Sequence, residues 1–132
     1  MTNEQAQCKP VRMPSSDPRI FGPPTWTCLH ILAENYPEEA SLDLRIACIL
    51  LLFSLARMLP CRRCSDHFRE FLRENHVAQA TRGKKDLVAL LVAAHNNIAE
   101  HTRPNEPPYP VACAKQQYAY MRPRACPLPQ LY

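Results

Sequence analysis

Apolar positions along the chain recur at helical spacing, and no stretch alternates as a strand would. In TWTCLHILAENYP, Trp26, His30 and Ala33 fall on one face, and a helix is expected from Pro23 or Pro24 until Pro37 stops it. A second helix is expected from Ser41, with Asp43 in its first turn, to Leu59, where Pro60 ends it. A third begins at Cys61 or Arg62, turns Phe68, Phe71 and Leu72 inward and fades near Asn75. The fourth follows Gly83 and runs from Lys84 to His101, and a short fifth is expected over Ala112 to Met121. The runs IACILLLF (Ile46 to Phe53) and LVALLVAA (Leu87 to Ala94) fall well short of the ~18 residues that would suggest a membrane span. They read as buried helices. The pattern predicts an all-α fold, a bundle of four main helices with a short fifth helix and proline-rich tails.

Composition sharpens the boundaries. The 132 residues are 46% hydrophobic with 2 glycines and 14 prolines, enough for one domain with its own core. No proline lies between Cys61 and Arg103, so long helices run unbroken there, while Pro104, Pro107, Pro108 and Pro110 force an extended turn. A flexible arm is expected over 1–20, the domain over 21–121 and a tail over 122–132. The formal charge of +4 is too mild for a dedicated nucleic-acid binder. The opening MTNEQAQCKPVRMPSSDPRI has no apolar core, so no signal peptide is expected.

The 7 cysteines bring in chemistry. In LPCRRCSDHF, Cys61 and Cys64 stand at i and i+3 at a helix start, within reach of each other. Unsatisfied backbone N–H groups there, with Arg62 and Arg63 between the cysteines, favour a thiolate and make the pair reactive rather than an inert staple. A c-type haem would need histidine where Ser65 stands. A zinc site could recruit Cys61, Cys64 and His67 with a remote fourth ligand, but no second close-spaced pair supports it. A thioredoxin-like pair would follow a strand, and here a helix precedes. A helical redox domain remains, and a dithiol needs a cofactor to pass electrons to oxygen. Trp26, His30 and Tyr36, with HNNI from His95 to Ile98, offer flat side chains and hydrogen-bonding groups for a flat aromatic cofactor.

TWTCLHILAENYP, LPCRRC and AAHNNIAEH, in this order and at these separations, resemble the Erv/ALR family of FAD-dependent sulfhydryl oxidases over about Phe21 to Cys113. The resemblance implies a helical bundle holding FAD beside the CxxC, usually as a homodimer. By position, Trp26, His30, Tyr36, His95 and Asn96 match flavin-contacting residues, with Ile98 and Ala99 on the same helix as further cofactor-binding candidates. Cys64 matches the sulfur beside the flavin and Cys61 the outer sulfur that meets substrate, the two catalytic cysteines; no metal is implied. The implied partners are thiol-bearing protein substrates or a thioredoxin-like relay protein, and molecular oxygen. The non-enzymatic alternative is a helical binding module with the zinc site above. Family members occur in the mitochondrial intermembrane space, the secretory pathway and large DNA viruses. This short chain is most similar to a small viral member acting in host cytoplasm or virions, otherwise to one in the intermembrane space.

Departures from the family pattern are equally informative. The family's second asparagine and the following lysine are Ala99 and His101 here, so Arg103 or Lys115 is expected to serve the adenine and phosphate end. Cys113 lies near a family cysteine that forms a structural disulfide, but the usual partner near Asp86 is missing. A loop closed by Cys113 and Cys126 is expected to be structural rather than a relay. The two dense apolar runs exceed what one small domain covers, marking the first two helices as a dimer seam. Cys28 and Cys48 read as small buried hydrophobes.

Overall fold

The computed structural model describes residues 16–108, 110–113 and 116, and its ordered elements are all helical. They are α1 (Pro18–Glu34), α2 (Leu42–Met58), α3 (Arg62–Glu74), the single turn α4 (Val77–Ala80) and α5 (Lys84–Thr102). Helix α1 packs on α5 and α2 on α3, and α3 and α4 both close onto α5. The expected fifth helix lies largely outside the described residues, although 111–113 are helical. Cys8, Cys126 and the C-terminal tail lie outside them too, and so does the arm up to residue 15.

Local chemistry sets three of the helix starts where the sequence places them. The Ser41 hydroxyl accepts from the Leu44 N–H at 3.3 Å, Cys61 caps α3, and Gly83 precedes α5. Helix α1 instead begins five residues before Pro23. Pro18 occupies its first turn, where a missing N–H costs nothing, and the Asp17 carboxylate accepts from the Arg19 N–H at 2.8 Å. Pro23 and Pro24 lie inside the helix, on its exposed side, and withdraw the donors that the Arg19 and Ile20 carbonyls would otherwise receive.

Helix α3 is strongly two-sided, with Cys64, Ser65, Phe68, Phe71 and Leu72 buried and its arginines and acidic residues outward. Phe68, Leu52, Leu72, Leu91 and Val92 form the most deeply buried part of the core. The two apolar runs separate. Leu87, Val88, Leu90, Leu91, Val92 and Ala94 are buried as expected. In α2 only Leu52 and Ala56 are buried, while Ile46, Leu50, Leu51 and Met58 face outward, Leu50 at 61% exposure. A helix apolar on every side presents more surface than α3 alone can cover. Cys28 is likewise exposed, contrary to expectation, because it lies on the side of α1 away from α5; Cys48 is half-buried, and burial pushes its thiol up.

The connection from α1 to α2 is tied to the start of α5. The Lys84 N–H donates to the Pro37 carbonyl at 2.9 Å and the Ala40 N–H to the Arg82 carbonyl at 2.9 Å. Lys84 Nζ also lies 3.0 Å from the buried Glu34 carboxylate. Helices α1 and α5 therefore run antiparallel, joined where α1 ends and α5 begins.

Candidate active site

The cysteine pair sits at the first turn of α3. Cys61 Sγ accepts from the Cys64 N–H at 3.3 Å, in the manner of a serine cap, and the Cys64 thiol contacts Cys61 Sγ at 2.7 Å. Cys61 is half-buried and Cys64 buried, so one sulfur faces solvent and the other the interior. Burial, reinforced by the hydrogen bond to Cys61 and its charge, pushes the Cys64 thiol up to about 11, and Arg63 acts the other way. The helix start alone predicts a more acidic pair; for Cys64 desolvation outweighs it.

Cys64 lines a cavity of about 610 Å³ between α1, α3 and α5. Trp26 and Leu29 of α1, Leu59 ahead of α3, Phe68 of α3, and His95 and Ile98 of α5 make most of its wall apolar or aromatic. The rings are ordered against one another: Trp26 stacks on His95 with centroids 4.5 Å apart and planes within 12°, and Phe68 is tilted against Trp26 at 5.9 Å. Behind them, His30 Nε2 lies 3.3 Å from His95 Nδ1, one nitrogen donating and the other accepting. Burial lowers His30; burial, with His30 and Arg103 nearby, lowers His95 to about 4, so both imidazoles are neutral near pH 7.

The structure brings together Trp26, Cys64, His95, Ile98 and Ala99 on the cavity wall. His30 is buried one layer behind, and Asn96 is half-buried on α5 without lining the cavity. Tyr36 lies elsewhere: its buried hydroxyl donates to the Thr81 carbonyl at 2.8 Å, tying the end of α1 to the turn before α5. Sequence reasoning missed Pro18, Arg19, Phe21 and Gly22, which line the cavity because α1 begins early, and the Asp17-Pro18 start signal was the clue available; Pro23 and Thr25, inside the expected helix, line it too. Arg103 does line the cavity, whereas Lys115 falls outside the described residues.

Among the described residues no three His, Cys, Asp or Glu side chains gather to hold a metal ion, and the His67 ring packs on His101 with centroids 4.2 Å apart. The zinc-module alternative thus finds no ligand set. No helix among these residues is long and apolar enough to cross a membrane.

Comparison with known proteins bears on the same region. The chain is 42% identical over 78 residues to the FAD-linked sulfhydryl oxidase ERV1 of Arabidopsis thaliana, covering 59% of this chain and 40% of the plant protein. A protein of Invertebrate iridescent virus 3 assigned to the FAD-linked sulfhydryl oxidases is 26% identical over 104 residues, covering 79% of this chain and 69% of the viral one. The crystal structure of the yeast Erv1 core superposes with a TM-score of 0.74 at 20% identity, covering 89% of this chain and 96% of that one. The FAD-binding domain of Erv1 from Saccharomyces cerevisiae does so with a TM-score of 0.69 at 22% identity, covering 77% and 93%. These two establish the same helical fold. The family model for Erv1/Alr matches residues 23–119, which contain the CxxC and every cavity-lining residue from Pro23 to Arg103, and the chain belongs to the Erv1/Alr family.

Proposed function

We propose that the chain is an FAD-dependent sulfhydryl oxidase that converts dithiols of other proteins to disulfides. The observation that carries this reading is the division of labour within one CxxC, in which buried Cys64 lines an aromatic cavity while half-buried Cys61 is accessible from outside. A volume of about 610 Å³ falls in the range of small-molecule clefts, and flat rings beside aliphatic walls suit an isoalloxazine. Trp26, His95, Ile98, Ala99 and Cys64 would hold the flavin directly, with His30 and Asn96 supporting His95 from behind and along α5, and Tyr36 bracing the end of α1.

FAD bound there supplies an acceptor for the dithiol's electron pair and a route for that pair to oxygen, giving hydrogen peroxide. The chain's own part is thiol–disulfide exchange. With Cys61 and Cys64 joined as a disulfide, a substrate thiolate attacks Cys61 Sγ, the Cys61–Cys64 bond breaks and Cys64 leaves as a thiolate. The substrate's second thiolate then attacks its own sulfur in the mixed disulfide, releasing Cys61. The substrate has lost two electrons and the chain holds them as a dithiol. Burial disfavours a charge resting on Cys64.

The outward apolar face of α2, with Leu32 of α1, is assigned as a homodimer seam. The substrates are thiol-bearing proteins or a thioredoxin-like relay. The iridescent-virus relatives support a viral setting in host cytoplasm or virions, and the mitochondrial yeast relative supports the intermembrane space as the alternative. The deciding experiment is purification of the full chain followed by oxygen consumption with dithiothreitol. A yellow protein that loses turnover in both Cys61→Ser and Cys64→Ser is expected. A colourless, zinc-loaded protein, or near-normal turnover in either variant, would overturn the reading.

A further inference from the structure

We propose that Arg19 and Arg103 form a two-sided clamp for the diphosphate of the dinucleotide at the solvent end of the cavity; the proposal rests on the flavin reading above. Of the described side chains that line the cavity, these two alone carry a fixed charge, since His95 is neutral. They come from opposite walls, Arg19 from the first turn of α1 and Arg103 from the C-cap of α5, which the antiparallel packing brings to the same end.

Their distance from the rings suits the task. On α5, His95, Ala99 and Arg103 follow one another at intervals of four residues, so Arg103 lies about 12 Å along the helix from His95. On α1, Arg19 lies seven residues before Trp26, about 10 Å back along the axis. Trp26 and His95 are stacked face to face, so both arginines are displaced from that pair in the same direction by similar amounts. A flavin with its ring beside Cys64 carries its diphosphate at the far end of the ribityl chain, a span of comparable length. Two of the lining hydroxyls are spent on the backbone, Thr25 on the Phe21 carbonyl at 2.6 Å and Thr102 on the Ile98 carbonyl at 3.1 Å. Ala99 offers none.

Both guanidinium groups are held by exposed carboxylate contacts that leave donors over. Arg19 turns Nε and Nη2 to Asp17, at 2.8 to 3.2 Å, and keeps Nη1 on its other edge. Arg103 Nη1 lies 3.0 Å from Glu106. Exposed pairs of this kind are weak, whereas planar guanidinium groups match phosphate oxygens two at a time.

The test separates the phosphate end from the ring end. The deflavinated full chain is titrated with riboflavin, FMN and FAD by flavin fluorescence, with thermal melts confirming that each variant folds. Arg19→Ala and Arg103→Ala should each weaken FAD by about tenfold while riboflavin changes by less than about twofold. FMN should show a smaller loss, Glu106→Gln should tighten FAD, and added salt should erode the wild-type preference for FAD over riboflavin. FAD affinity within about twofold of wild type in the double variant would overturn the clamp, as would equal losses for riboflavin and FAD. If the wild-type chain bound riboflavin and FAD equally well, the clamp would fall and the flavin reading would stand. Failure to bind any of the three would sink both.

Discussion

Replacing Tyr36 by phenylalanine separates an anchor from a cofactor contact with the loss of one oxygen atom. Tyr36 is 9% exposed, and its hydroxyl donates at 2.8 Å to the carbonyl of Thr81, which is 0% exposed. Tyr36→Phe keeps the ring and its packing but leaves a buried carbonyl without this donor, which should cost about 1–2 kcal/mol. For a folded unit of this size each kcal/mol lost corresponds to a melting point lower by about 4–8 °C. The assay is urea unfolding of the flavin-loaded chain followed by circular dichroism, with the midpoint falling and the slope unchanged. Cys48 packs near the same hydroxyl and raises the Tyr36 pKa further, after burial, so Cys48→Ala serves as a control for the thiol's share. Because the hydroxyl lies outside the cavity lining, the visible spectrum and the flavin affinity should stay close to wild type. Unchanged stability with a shifted flavin spectrum would refute the anchor and return Tyr36 to the cofactor.

Gly83→Ala should destabilise the chain by about 2 kcal/mol or more, because a Cβ there meets the Glu38 carbonyl oxygen of the tied connection; a urea midpoint close to wild type would contradict that close approach. The flavin-free chain should lose stability on acidification. His30 and His95 are lowered in the folded state, so the unfolded chain binds protons first as pH falls below 6.5, and for His95 the loss continues to about 4 and then levels off. Discounted for partial solvent access, the share of His95 is about 1 kcal/mol, and His95→Gln should flatten the profile measured by unfolding at stepped pH. Ile46→Glu with Leu50→Glu, at positions 47% and 61% exposed, should turn a dimer into a monomer in sedimentation without unfolding it. An unchanged sedimenting mass would rule out that face as the seam.

Helix starts were legible wherever one residue type does the capping, as at Ser41, Cys61 and Gly83. Pro23 misled because proline marks a helix start only when no better start precedes it, and Asp17 with Pro18 is one. The turn α4 went unseen because four residues show no period and the left-handed His76 before it, at φ 30°, has no sequence signature. The run from Ile46 to Phe53 has an apolar composition that says nothing about which neighbours exist to cover it. The sulfur pair and the aromatic wall could be read from local motifs, since Cys61, Cys64, Trp26 and His95 sit in recognisable strings. Leu29, Leu59 and Phe68 could not, because their place in the wall depends on how separate helices meet.

The tie between the α1–α2 connection and the start of α5 makes these helices a pair of tongs pivoted at Glu34 and Lys84. At the pivot an ion pair on the buried Glu34 carboxylate and two backbone hydrogen bonds cross between the two ends; at the tips, among the described residues, the ion pairs Asp17–Arg19 and Arg103–Glu106 each stay within one helix end. Parting the tips is cheap, and parting the pivot disrupts the core. Amide exchange along α1 and α5 should therefore slow progressively toward Glu34 and Lys84.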